Sequence, residues 1–206
     1  MLRALADQKV DTVVLTPHYY SDHEPIEAFL RRREKARLIP TESDSFPLLR
    51  YGAEVRFSEY LFNNRDLSAL CIDDTRTMLL ELPFNKPVTE GTVQSIDRLI
   101  TEYAITPVLA HIERYGSLLR SRRLMDEMID LGCVLQVNLS SFCMFGKRRL
   151  FSLLNDGYIG ALGTDSHNLT SRPPDYTSGY ERILRSCSEE AVQHVSDQMK
   201  KLLHIE

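Results

Sequence analysis

Short apolar runs alternate with longer amphipathic stretches along most of this chain. The runs predict strands at Thr12 to Thr16, Leu48 to Val55, Thr77 to Leu82, Pro107 to His111, Val134 to Asn138 and Ile159 to Leu162. Between them, helical spacing of apolar positions predicts helices over Glu27 to Leu38, Val88 to Tyr103, Ser121 to Leu131 and Arg148 to Asn155. Gly132 and Gly157 stand as C-terminal stops, and a last helix runs from about Glu189 to Leu203. Strands that alternate with helices argue for a parallel sheet or a (β/α) barrel, since each crossover helix covers the sheet it leaves. The segment ahead of the first strand, MLRALADQKVD, reads as the tail of a helix. A barrel entered there lacks its first strand.

Polar residues of one chemical kind sit where these apolar runs end. His18 follows VVLTP, Glu54 lies in LLRYGAEV, Glu81 in TMLLELPF, His111 in PVLAHIERY, and Asp165 and His167 in ALGTDSHN. A lone histidine beside a strand is usually a hydrogen-bonded structural residue. Imidazoles and carboxylates at five strand ends would instead gather on one rim, where barrel enzymes build their sites. That donor set suits a hard or borderline divalent cation: manganese, iron, zinc or magnesium. The absence of thiolates from it argues against a structural zinc site.

Length and charge narrow the classes. The chain has 206 residues, of which 43% are hydrophobic, enough for one sizeable core and one domain. A net charge of −4 gives no attraction to nucleic acid or anionic lipid. The basic runs RRREKAR, RSRR and KRR fall in helix-like stretches and read as solvated faces. No apolar run spans a bilayer and no secretory leader opens the chain. Cys71, Cys133, Cys143 and Cys187 lack framework spacing, so the expectation is a cytoplasmic protein with free thiols.

The motifs TPHYY, YGAEV, ELP, LAHIERY, the DLGC and QVN strand, and TDSHNLTSRPP resemble, in this order, the manganese-dependent tyrosine phosphatases of bacterial capsular and exopolysaccharide loci. These belong to the polymerase and histidinol phosphatase (PHP) superfamily. The resemblance implies a distorted (β/α)7 TIM-like barrel with up to three metal ions on its C-terminal rim. It implies that His18, Glu54, Glu81, His111, Asp165 and His167 are metal ligands, with Glu54 our candidate bridge, and that Arg114 and Arg172 grip phosphate. It also implies a partner, the phosphotyrosine tail of a cognate bacterial tyrosine kinase. The family's first strand carries an HxH pair followed by an Asp, and no such segment occurs here. The remaining six ligands are therefore expected to hold manganese weakly.

Three other readings stay open on the sequence. A PHP phosphoesterase of a small phosphorylated metabolite would share the metal chemistry, and a non-catalytic partner of the kinase would follow if the rim were incomplete. Cys143 to Arg149, CMFGKRR, matches the C-x-x-G-x-x-R loop of cysteine-dependent phosphatases, but Phe142 and Leu150 replace the usual flanking polar residues. The simpler reading is that FGKRR starts a helix. Tyr19, Tyr20, Phe84 and Tyr115 lie just beyond strand ends, where rim packing is the ordinary role and flanking a phosphotyrosine ring the functional one. His23, His194 and His204 fall outside the rim pattern.

Overall fold

The computed structural model describes residues 1–38, 46–84 and 86–205. Its strands are β1 (Thr12–Leu15), β2 (His18–Tyr20), β3 (Leu48–Tyr51), β4 (Glu54–Arg56), β5 (Thr77–Glu81), β6 (Thr106–Leu109), β7 (Val134–Asn138) and β8 (Ile159–Gly163). The helices are α1 (Leu2–Ala6), α2 (Ile26–Glu34), α3 (Glu90–Thr101), α4 (Gly116–Arg120), α5 (Arg122–Asp130), α6 (Leu139–Phe142), α7 (Arg148–Asn155), α8 (Thr177–Ser186) and α9 (Glu189–Leu203).

All pairings are parallel, in the order β1–β3 and β2–β4–β5–β6–β7–β8. The two sheets are one sheet with a seam. Pro17 has no N–H to donate, so the first track breaks into β1 and β2. Pairing nevertheless continues across the break, because Gly52 N donates to Leu15 O (2.9 Å) and Glu54 N donates to Pro17 O (3.1 Å). The six predicted strands are thus six parallel tracks in sequential order. A sequential order with no reversal belongs to a barrel rather than to a doubly wound sheet.

Crossover helices pack outside this sheet. Val93, Ile96 and Leu99 of α3, Met125 and Met128 of α5, and Leu150, Leu153 and Leu154 of α7 are buried against it. Gly132 and Gly157 end α5 and α7 with φ of 101° and 78°, a left-handed turn that favours glycine. The α8 helix was not anticipated; its buried residues are Gly179 and Ile183. Gly179 is fixed by α6: a Cβ there would lie 2.4 Å from Leu139 O. Gly179→Ala is therefore expected to cost about 1–3 kcal/mol and to lower the thermal midpoint by roughly 2–12 °C, read by calorimetry.

Among the described residues, no backbone hydrogen bond joins β1 to β8, so these are the two free edges. Between them opens a largely apolar cavity of about 680 Å³, running from Thr77 and Leu79 up to His18, Glu54, His111, Asp165 and His167. At its upper end the edges meet through side chains, with His18 Nε2 and His167 Nε2 3.4 Å apart.

Candidate active site

The rim is assembled from the C-terminal ends of successive tracks. His18 and Glu54 are register partners on β2 and β4, and Glu81 is the last residue of β5. His18 and Glu54 open strand segments instead of following them, contrary to the sequence reading. The reason is the Pro17 and Gly52–Ala53 breaks, which make the apolar runs end one segment early. His111 lies two residues past β6 with φ 38°, and Asp165 two residues past β8 with φ 52°. Both are left-handed positions that non-glycine residues avoid, and such strain concentrates at functional sites.

Glu54 and Glu81 are both buried, with 6% and 7% exposure. Among the described residues, no Lys or Arg pairs with either. Instead His111 Nε2 lies 2.8 Å from Glu54 Oε1 and 3.3 Å from Glu81 Oε1. Burial pushes the His111 pKa down, but the hydrogen bonds to Glu54 and Glu81 outweigh it and lift the value to about 9. Without a cation, two buried carboxylates thus draw a proton onto the histidine between them, as expected for buried charge that must be compensated.

His18 adds a second sign of the same demand. Its Nδ1 is buried, has no hydrogen-bond partner among the described residues, and lies 3.6 Å from Glu54 Oε2. One ligand atom each from His18, Glu54 and Glu81 falls within 4.8 Å of the others, compact enough for one ion. An orphaned imidazole nitrogen beside two buried carboxylates fits a divalent cation.

The rest of the rim is continuous with this cluster. His167 Nε2 faces His18, and its Nδ1 lies 3.7 Å from Asp165 Oδ1. Asp165 accepts from Arg114 Nη2 (2.5 Å), from Asn138 Nδ2 (3.0 Å) and from Arg172. Arg172 Nη1 also approaches His167 Nε2 at 3.0 Å. The sequence HNLTSR folds this way because Asn168 Oδ1 accepts from the N–H groups of Thr170, Ser171 and Arg172, a side-chain turn that carries Arg172 back over His167. All eight residues singled out in the sequence therefore belong to one connected network. Asp165 itself is engaged by two guanidiniums.

Other residues serve this network without having been assigned a role. Gln136 and Asn138 alternate on β7 and both point inward. Gln136 Oε1 accepts the strained His111 N–H at 2.5 Å, while its Nε2 donates to Asn138 Oδ1 at 3.0 Å. Gly163 makes room, since a Cβ there would sit 2.7 Å from Gln136 Nε2. Half-buried Glu113 accepts from Asn138 N and Ser141 Oγ, and desolvation raises its pKa. Two polar residues at alternate positions of an otherwise buried strand, LQVN, were the available signal. Gln136→Ala would leave the His111 N–H unsatisfied, and a loss of about 1–3 kcal/mol is expected in urea unfolding.

Cys143 does not form a phosphate loop. It follows a one-turn helix rather than a strand, and the Cys143 and Met144 amides are spent on Ser140 O and Ser141 O. The following residues reach the N-terminus of α7, as the simpler reading held. His23, His194 and His204 are exposed, and His23 packs on Tyr20, which stacks on His18, without itself joining the network.

With the rim described, likeness to known proteins can be placed on it. The family model for capsular polysaccharide synthesis proteins, CpsB/CapC, matches residues 1–204. The chain belongs to the CpsB/CapC family. The tyrosine-protein phosphatase CpsB of Streptococcus pneumoniae is 30% identical over 194 residues, covering 86% of this chain and 77% of that protein. CpsB of Streptococcus agalactiae serotype III (strain NEM316) is 28% identical over 150 residues, covering 68% of this chain and 61% of that one. A chain from the crystal structures of YwqE from Bacillus subtilis and CpsB from S. pneumoniae, metal-dependent tyrosine phosphatases, superposes with a TM-score of 0.78. That match has 22% identity and covers 100% of this chain and 86% of the other. The CpsB/CapC assignment agrees with the family resemblance of the motifs, and the superposition with the expected PHP barrel. No helix among the described residues is long and apolar enough to cross a membrane.

Proposed function

We propose that this chain is a metal-dependent protein-tyrosine phosphatase that acts on a bacterial tyrosine kinase serving capsular or exopolysaccharide synthesis. The observation that carries the proposal is the buried Glu54–His111–Glu81 cluster with its unpartnered His18 nitrogen, joined through His167 and Asp165 to two arginines. On this reading His18, Glu54, Glu81, His111, Asp165 and His167 would hold manganese, and Glu54, which faces both His18 and His111, would be the shared carboxylate. When bound, the ions supply positive charge and a water acidified towards neutrality.

The chain's own residues do the rest. Arg114 and Arg172 converge on the Asp165 carboxylate, which sets both guanidiniums beside the proposed metal ligands, where they would meet a metal-bound phosphoryl group. Each can donate paired hydrogen bonds to phosphate oxygens as charge spreads over them. Asn138 holds Asp165 in place, and the Asn168 turn holds Arg172. Tyrosine leaves as a phenolate with an ordinary pKa near 10, so modest assistance suffices and no protein nucleophile is needed. We place the protein in the cytoplasm, where its four free cysteines persist as thiols.

The test is turnover of a phosphotyrosyl peptide by the manganese-loaded chain. EDTA is expected to suppress the rate by at least about 100-fold, with manganese restoring it. A sugar phosphate hydrolysed faster than the peptide would move the assignment to a metabolite phosphoesterase. Absence of turnover with full metal content would leave a non-catalytic kinase partner.

A further inference from the structure

Phe84 is a large aromatic side chain, 47% exposed, standing at the mouth of the proposed catalytic rim. Its position is fixed. It lies three residues beyond Glu81, the end of β5, and follows Pro83, whose ring restricts the backbone. The Phe84 ring stacks on Tyr115, with centroids 5.6 Å apart and an interplanar angle of 15°. Tyr115 in turn is buried at 3% exposure, and its hydroxyl accepts the Leu82 N–H at 2.9 Å, pinning the same turn from below.

The neighbours of Phe84 on the site side are catalytic candidates. The His111 ring centroid is 5.3 Å away, and the Arg114 guanidinium carbon lies 5.7 Å from the Phe84 ring. Thus one aromatic ring touches both a proposed metal ligand and a proposed phosphate-gripping group while much of it faces solvent. Of the other rim aromatics, Tyr19 and Tyr115 are buried and serve as core, while Tyr20 is half-buried and lies against His18 and Arg56 rather than against a phosphate-gripping arginine. An exposed aromatic held rigid by a buried one is preorganised to stack another ring at little entropic cost.

Resting on the phosphatase reading above, we infer that Phe84 is a specificity-determining residue that reads the phenyl ring of the substrate. An aryl phosphate gripped by Arg114 would bring its ring onto Phe84, whereas an alkyl phosphate would leave that contact unmade. Arg114 thereby links the two halves of recognition, anion on one side and aromatic ring on the other.

The experiment uses the manganese-loaded full chain and its Phe84→Ala and Phe84→Tyr variants. Phe84→Ala should raise KM for a phosphotyrosyl peptide roughly tenfold, the size of a partly exposed aromatic contact, with kcat reduced less than threefold. It should weaken inhibition by phenylphosphonate in parallel and leave inhibition by inorganic phosphate unchanged, because phosphate has no ring to stack. Phe84→Tyr should behave like the parent. Equal weakening of phosphate and phenylphosphonate, or of neither, overturns the inference. Calorimetric binding of phenylphosphonate against methylphosphonate to the parent separates the two readings. A phenyl preference lost in Phe84→Ala supports the ring contact even in a chain that turns over no phosphotyrosine, which would sink only the phosphatase reading. No phenyl preference in the parent sinks the ring contact alone.

Discussion

His111→Ala is expected to remove nearly all phosphotyrosine turnover, a loss on the order of 10³-fold, together with most of the bound manganese. Cys143→Ser should leave both close to the parent values. The difference follows from position. His111 Nε2 is the only nitrogen of a described residue found within salt-bridge distance of both buried carboxylates, and without it Glu54 and Glu81 face each other uncompensated. The Cys143 amide and that of its neighbour are committed to a helical turn, so neither N–H is free to hold a phosphate beside the thiol. Metal content by atomic absorption and peptide turnover on the two variants check the pair. Loss of turnover in Cys143→Ser with intact metal would overturn the choice of mechanism in favour of the cysteine.

Much of this rim was legible because ligand residues and strands obey the same simple rules. Apolar runs marked six tracks, and chemistry-bearing residues at their ends had to gather once the tracks ran parallel. Val134 to Asn138 and Arg148 to Asn155 fall where their apolar patterns put them, since β7 is buried nearly throughout and α7 has a clean apolar stripe. Less legible was anything set by a single backbone group. Pro17 splits the first track, hiding β2 behind an apparent strand end. The short α4 and α6 helices carry too few turns to show a period. Gln136 and Asn138 escaped a role because what they do depends on a neighbour's strained backbone: the His111 conformation at φ 38° exposes an N–H that only the partner strand can satisfy. Likewise, the resemblance suggested that Arg114 and Arg172 bind phosphate, but only the fold shows that both already converge on Asp165.

That convergence makes Arg172→Ala the sharpest test of how the anion is held. It should lower kcat/KM for a phosphotyrosyl peptide on the order of 10²–10³-fold and weaken inhibition by inorganic phosphate, with manganese content maintained. Arg172→Lys should recover little, because a point charge cannot reproduce the paired donors of a planar guanidinium. Manganese should be retained because removing a cation from Asp165 frees that carboxylate instead of depriving it. The alternative is that Arg172 acts only on Asp165 and His167, which it also contacts. In that case Arg172→Ala would change metal affinity and leave phosphate inhibition as it was. Metal loss separates a residue that holds the ligands from one that holds the substrate, and unchanged phosphate inhibition would remove Arg172 from the anion site.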